Sequence, residues 1–185
     1  MILKHGLVTG ANGFIGQHLC RRLAESGRDV TACVREHADM SVLAETSGSL
    51  KIHKMLSLST DADLTPAFLN VDAVIHLAGR AHVMHDTAAS PLDEFRKVNV
   101  VGTESLASIA AQQGVKRLIY VSSIKVSGEA TNGSPFDADD PPGYCDPYGQ
   151  HSSQSSTQRS DCAKLQRKPT WSGWFSGRLW CTVPE

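Results

Sequence analysis

The chain is 185 residues long, with a formal net charge of −1 and 41% hydrophobic side chains, which suits one domain with a sizeable core and gives no overall pull toward a polyanion. No apolar run approaches membrane-spanning length, and the first residues run as a strand straight into a glycine turn instead of forming a signal peptide, so a cytoplasmic protein with no membrane partner is expected. The cysteines (Cys20, Cys33, Cys145, Cys162, Cys181) are odd in number and lack metal-ligand spacing, which reads as reduced thiols and no metal site.

An apolar run holding Ile2, Leu3, Leu7 and Val8 predicts a first strand, and Thr9-Gly10-Ala11-Asn12-Gly13-Phe14-Ile15-Gly16 follows it at once. In such a turn Gly10 lets the chain leave the strand sharply. Gly13 removes the side chain that would keep a pyrophosphate from backbone N–H groups, and Gly16 lets helix and strand pack closely. The same spacing also occurs in ordinary glycine-rich turns; the strand before it and the helix after it favour the phosphate cradle. That helix carries Phe14, Ile15, Leu19, Leu23 and Ala24 at helical spacing and closes at Ser26-Gly27. Strands are expected over 29–34, more weakly over 51–58, over the very apolar 71–78, and over 115–122. A long helix over 91–113 carries Phe95, Val98, Val101, Leu106 and Ile109. Strands alternating with helices at this rhythm require right-handed crossovers, hence an α/β fold with a doubly wound parallel sheet of the Rossmann type. The expected strand order is 3-2-1-4-5, with the ligand crevice at the carboxyl ends where the order reverses.

The second strand runs into Arg35, where an NAD site more often places an acidic residue to grip the ribose 2′-OH. Arg35 either pairs with the 2′-phosphate of NADP or begins a solvated loop and stacks on the adenine. His76, inside the most apolar strand, reads as a satisfied core histidine. His82, Met84 and His85 follow in a loop that should border the crevice, where they either touch substrate or are solvated.

Ser122 and Ser123 stand at the end of the fifth strand, and Tyr148 follows in Asp146-Pro147-Tyr148-Gly149-Gln150. Together with the glycine turn, His76-Leu77-Ala78-Gly79, Val98-Asn99-Val100-Val101-Gly102-Thr103 and Tyr120-Val121-Ser122-Ser123, these residues resemble the extended short-chain dehydrogenase/reductases, specifically the NAD-dependent epimerase/dehydratase family. The resemblance covers residues 1–150 almost continuously. It is nearest in character to UDP-glucose 4-epimerase-like members, including 4-keto-sugar reductases that share Ser-Ser-Ile-Lys-Val at 122–126.

The resemblance implies that NAD or NADP lies on Gly10, Asn12, Gly13, Phe14, Ile15, Gly16, Arg35, Leu77, Ala78, Gly79, Asn99, Ser122 and Tyr148. A UDP-sugar would meet His82, Met84, Ser123 and Lys125. Ser123 would hydrogen-bond the sugar hydroxyl or ketone, and Tyr148 would exchange its proton as hydride passes between the nicotinamide and C4 of the hexose. A phenol with a pKa of about 10 needs help to act as a base near neutrality. In the family that help is a lysine four residues after the tyrosine; here Ser152 stands in its place. The residues leave epimerase, dehydratase and reductase open. Intact relatives commonly form homodimers through the helix over 91–113 and the helix that should begin near Tyr148.

From residue 151 onward the chain changes character. Residues 151–185 hold seven serines, all three tryptophans (Trp171, Trp174, Trp180), five Lys/Arg and two Asp/Glu, so the formal charge is +3 after −4 in the first 150 residues. Helical periodicity ends as well, although the family requires a long helix there. A change of reading frame after Gln150 accounts for this better than a new domain. Writing residues 176–184 as degenerate codons and reading from the third base of each permits Arg-Pro-Pro-Leu-Val-Tyr-Gly-Pro, which resembles the segment the family carries on its next strand. The same shift across residues 167–171 permits Glu-Thr-Asp-Leu. Residues 1–150 are thus expected to form the NAD(P)-binding domain, incomplete on its C-terminal side, and 151–185 a tail without its own fold. The chain is then a nucleotide-sugar epimerase or oxidoreductase by descent and, as written, at most a cofactor-binding module. Scattered cations in the tail form no basic stripe, so no nucleic-acid partner is expected.

Overall fold

The computed structural model describes residues 3–58, 64–80, 90–121, 133–135 and 180–182, with only the backbone described at 91, 92 and 180–182. Five parallel strands, β1 (His5–Thr9), β2 (Asp29–Arg35), β3 (Leu50–Met55), β4 (Ala73–His76) and β5 (Arg117–Tyr120), lie in the order β3-β2-β1-β4-β5. This is the expected order, with its reversal between β1 and β4. The interiors of β1, β2 and β4 are continuously buried, as a sheet covered on both faces requires. Alternate residues serve opposite cores. Leu7, Cys33, Val74 and Leu118 join Phe68, Leu106 and Ile109 on one face, while Val8, Ala32, Val34 and Ile75 join Cys20, Ala24 and Leu43 on the other.

Helix α1 (Phe14–Glu25) follows the glycine turn and ends as the sequence indicates, with Gly27 at φ +76 donating its N–H to the Ala24 carbonyl at 3.0 Å. Two short elements escape the periodicity argument: α2 (Ser41–Ala44) and a 3₁₀ turn (Thr65–Phe68), which bury Leu43 and Phe68. Each is a single turn, too short to show a repeat.

The long helix is the main correction to the elements. It consists of α3 (Pro91–Arg96), a wider π-type turn (Lys97–Val101) and α4 (Gly102–Gln112). The wide turn changes the phase of the helix. It brings polar Asn99 inside at 5% exposure and leaves Val101 outside at 47%. Gly102 is drawn so close to Leu58 that a Cβ would lie 2.8 Å from the Leu58 Cβ.

A sixth strand, β6 (Trp180–Thr182), pairs antiparallel with β5, where the sequence predicts no packed element. The outer edge of β5 presents a row of backbone donors and acceptors that pairs with any extended segment, whatever its side chains. The two cysteines described in full, Cys20 and Cys33, are free and buried, and burial pushes both thiols up to about 12, which keeps them inert. Among the described residues no helix is long and apolar enough to cross a membrane, and no cluster of side chains suits a metal ion.

If the wide turn sets the phase of α4, truncating its inward side must cost far more than truncating the residue just before it. Leu106→Ala should lower the unfolding free energy by about 3 kcal/mol. Val101→Ala should change it by less than about 0.5 kcal/mol. Urea denaturation of the two variants checks the phase, and equal losses would contradict it.

Candidate functional site

The carboxyl ends of β1 and β4 lie side by side, with Thr9 in register with His76. Three glycines shape what happens next, each for a different reason. Gly10 has φ +66, and a Cβ there would stand 2.9 Å from the Ala78 nitrogen, so both conformation and space demand glycine. At Gly16 a Cβ would overlap the Gly10 carbonyl oxygen and lie 2.8 Å from the Ala11 Cα, because α1 starts directly on the turn. Gly13 differs from both. Its φ of −73 is open to any residue, and among the described residues a Cβ there would meet only the Gly10 carbonyl oxygen, at 3.2 Å, a tight contact relieved by a shift of a few tenths of an ångström. On its other sides the space around that Cβ is free of described residues to at least 4 Å.

That space adjoins the start of α1. Gly13 is the N-cap, no side chain caps the helix, and the first turn holds no acidic residue. Phe14 and Ile15, in its first turn, are exposed at 80% and 58%. The turn is tightened from within by Gly13 N–H to the Gly10 carbonyl at 3.0 Å and tied to β2 by Ala11 N–H to the Cys33 carbonyl at 3.3 Å. Uncapped first-turn N–H groups, a positive helix end and a cradle that a Cβ at residue 13 would fill together fit the pyrophosphate of a dinucleotide.

The second wall of the crevice is the segment after β4. Thr9 Oγ1 accepts the N–H groups of Leu77 and Ala78, each at 3.2 Å, and lies 2.6 Å from His76 Nδ1. His76 Nε2 lies 3.0 Å from Thr103 Oγ1, whose hydroxyl donates to the Asn99 carbonyl at 2.6 Å. The Asn99 side chain accepts the Arg80 N–H at 2.7 Å and donates to the Arg80 carbonyl at 2.9 Å. The Arg80 guanidinium lies over the Phe95 ring, 5.2 Å from its centroid. His76 is fully buried, and desolvation pushes its pKa down to about 4, so the ring is neutral near pH 7.

Of the residues named from sequence, Gly10, Asn12, Gly13, Phe14, Ile15 and Gly16 form the turn and the start of α1, and Leu77, Ala78 and Gly79 form the opposite wall. Arg35 is exposed at the carboxyl end of β2, two positions beyond Cys33, the register partner of Thr9. Asn99 belongs to the wall through its grip on Arg80, and His76 is the satisfied core histidine expected of it. His82, Met84, Ser122, Ser123, Lys125, Tyr148 and Ser152 lie outside the described residues. Sequence reasoning missed Thr9 and Thr103 as parts of the site, because their hydrogen-bond partners are 67 and 27 residues away. A groove of about 670 Å³ opens at the opposite, amino ends of the strands, near Lys4, His5, Asp72 and Lys116. There Asp72 already accepts the N–H groups of Lys4 and His5 and pairs with Lys116, so its polar groups serve one another.

Comparison with known proteins gives a consistent picture. The family model for the NAD dependent epimerase/dehydratase family matches residues 6–159, ending within the segment of altered composition. A UDP-glucose 4-epimerase of Vibrio cholerae is 38% identical over 165 residues, which is 87% of this chain and 48% of that protein. One from Bacillus subtilis strain 168 is 33% identical over 150 residues, 78% of this chain and 43% of that protein. The chain thus spans about half the length, or less, of these curated relatives. Among solved structures, a short-chain dehydrogenase/reductase superfamily protein from Agrobacterium tumefaciens with bound NAD superimposes with a TM-score of 0.68 at 25% identity, over 89% of this chain and 45% of that one. The UDP-glucose 4-epimerase of Thermotoga maritima with UDP-glucose gives 0.71 at 22% identity, over 89% and 52%, a likeness of fold.

The glycines provide a test that separates folding from binding. Gly16→Val, which drives side-chain atoms into the backbone of residues 10 and 11, should destabilise the fold by about 3 kcal/mol. Gly13→Val should cost less than about 1 kcal/mol yet weaken dinucleotide binding more than about tenfold. Denaturation and calorimetric titration read the two effects, and a Gly13→Val variant that binds like the parent would contradict the cradle.

His76 predicts a pH dependence of stability. Its folded pKa of about 4 lies below the ordinary value of 6.5, so the unfolded chain binds the proton first. Stability is full above about pH 6.5 and falls as pH drops toward 4, by about 3 kcal/mol in all. Unfolding free energies measured from pH 7 to pH 4 should show this loss, and His76→Gln, which cannot titrate, should flatten the slope by that amount. An unchanged slope would contradict the burial of a neutral ring.

Proposed function

The chain belongs to the NAD dependent epimerase/dehydratase family, and from that premise we propose that it binds NAD or NADP with the pyrophosphate on Gly10, Gly13 and Gly16. The observation that supports this most is Gly13, a glycine that its φ does not require and that only the Gly10 carbonyl oxygen crowds among the described residues, beside an uncapped helix end at the point where strand order reverses. Asn12, Phe14 and Ile15 frame the phosphates, and Leu77, Ala78, Gly79 and Asn99 wall the nicotinamide half with Ser122 and Tyr148. Arg35, exposed at the end of β2, stands where it can pair with a 2′-phosphate or stack on the adenine, and titrating NAD and NADP separately distinguishes the two.

The intact relatives suggest the reaction. When bound, the nicotinamide supplies a reversible hydride carrier. Tyr148 exchanges a proton with the hydroxyl or ketone at C4 of a UDP-hexose, Ser123 hydrogen-bonds that oxygen, and His82, Met84 and Lys125 contact the sugar nucleotide. An NADP-dependent 4-keto-sugar reductase would use the same groups. As written, the chain binds cofactor without turnover, because Ser152 cannot supply the positive charge that stabilises tyrosinate. The altered composition after Gln150 supports a change of reading frame there, with Lys at position 152 and the rest of the enzyme, including its homodimer contacts, in the restored frame.

The sequence of the DNA around codons 150–152 and an assay of the restored protein test this together. The unmodified chain should turn over no UDP-hexose. The restored chain should do so with a dependence on Tyr148 and Ser123 of at least about 100-fold, and Ser152→Lys alone should not suffice. Robust turnover by the unmodified chain, abolished by Tyr148→Phe, would overturn the reading of the tail.

A further inference from the structure

Four buried polar residues of the core, Thr9, His76, Asn99 and Thr103, are joined in series, the last link running from the Thr103 hydroxyl to the Asn99 main-chain carbonyl. Their hydrogen bonds have only one consistent direction. Thr9 Oγ1 accepts two backbone N–H groups, which fill its lone pairs, so its hydroxyl hydrogen must point to His76 Nδ1. Nδ1 is therefore the acceptor of the neutral ring and Nε2 carries the hydrogen, which it gives to Thr103 Oγ1. Thr103 in turn spends its own hydrogen on the Asn99 carbonyl. The tautomer follows from this accounting alone.

Both ends of the chain hold the same short segment. Thr9 takes the N–H groups of Leu77 and Ala78, and Asn99 takes both the N–H and the carbonyl of Arg80. Four polar backbone groups just past β4 are thus satisfied by two side chains. Thr9 and Asn99 are connected through His76 and Thr103, the last bond reaching Asn99 at its main-chain carbonyl, one turn before Thr103 on the same helix. The segment also sets the space beside the glycine turn, since the Ala78 nitrogen is the atom that a Cβ on Gly10 would strike.

We propose that His76 and Thr103 are positioning residues for the cofactor site: they link Thr9 to Asn99 and so hold residues 77–80 in the one conformation that leaves the crevice open to a dinucleotide. This rests on the reading of the crevice as a dinucleotide site. The link acts by keeping the competent conformation populated, because apparent affinity falls in proportion to the fraction of molecules that hold it. In a low-dielectric interior each bond of the chain polarises the next, so one broken link loosens both ends.

Thr103 is the place to break it. Thr103→Val keeps the shape of the side chain and removes both its acceptor and its donor, whereas Thr103→Ser keeps the hydroxyl. For the full chain, NAD and NADP dissociation constants are measured by calorimetry, and amide exchange of Ala78 and Arg80 is followed by NMR without denaturant. Thr103→Val should weaken the cofactor roughly tenfold, the equivalent of one buried hydrogen bond. It should also speed exchange at Ala78 and Arg80 through a local opening that low denaturant does not change. Thr103→Ser should restore both. A Thr103→Val variant whose Ala78 and Arg80 amides exchange as in the parent overturns the proposal, as does one whose losses Thr103→Ser fails to recover. If the parent binds neither NAD nor NADP, it is the dinucleotide reading that fails, and a normal exchange rate at Ala78 and Arg80 in Thr103→Val would still overturn the link.

Discussion

Around Gly10 three pieces of backbone approach to within distances that no side chain could share. A Cβ on Gly10 would stand only 2.9 Å from the Ala78 nitrogen, and its carbonyl oxygen accepts from Gly13 and would overlap a Cβ on Gly16. The turn, the start of α1 and the end of β4 are therefore locked together by the absence of side chains. Because β1 and β4 are neighbours while α1 crosses back toward β2, this contact forms where the sheet reverses its order. The positive end of α1 is aimed at that point by steric necessity, and an anion-accepting crevice follows from the topology.

The same junction explains why polar side chains are tolerated in the core. Backbone groups that leave a strand must find partners, and residues 77–80 leave β4 with theirs unpaired by any ladder. Thr9 and Asn99 supply those partners from two other elements, and the wide turn in the long helix is what brings Asn99 inward. Each buried polar group in this set is satisfied, so the desolvation that burial demands is offset bond by bond. A neutral His76 is the condition for that balance. A protonated ring would present a second hydrogen to a threonine oxygen that already accepts two.

What could be read from the sequence was what is local or repetitive. The glycine spacing located the turn, the fully apolar run around Val74 and Ile75 marked a central strand, and alternation of strands with helices was enough for the order of five strands. Strand limits were drawn too wide: β4 is Ala73–His76 within 71–78, and β5 is Arg117–Tyr120 within 115–122. Apolar residues beyond the ladder fill the core without pairing. The wide turn at Lys97–Val101 left no trace in the pattern, since one extra residue in a helix that is apolar on several sides does not disturb its periodicity. Thr9 and Thr103 were invisible for another reason, as threonine beside a strand end or inside a helix has many ordinary uses and its partner lies far along the chain. The three residues of β6 lie in a stretch without period, and three residues are too few to show one; they pair with the open edge of β5.

If the crevice between β1 and β4 receives a dinucleotide with its pyrophosphate on the glycine turn, backbone amide chemical shifts recorded during a titration of the full chain with NAD and with NADP will show it. Saturable shifts should concentrate on residues 10–16 and 77–80, with Arg35 responding more to NADP if it meets the 2′-phosphate. Binding whose shifts fall instead on the amino ends of the strands, around Lys4, Asp72 and Lys116, or no shift at millimolar cofactor, would contradict it.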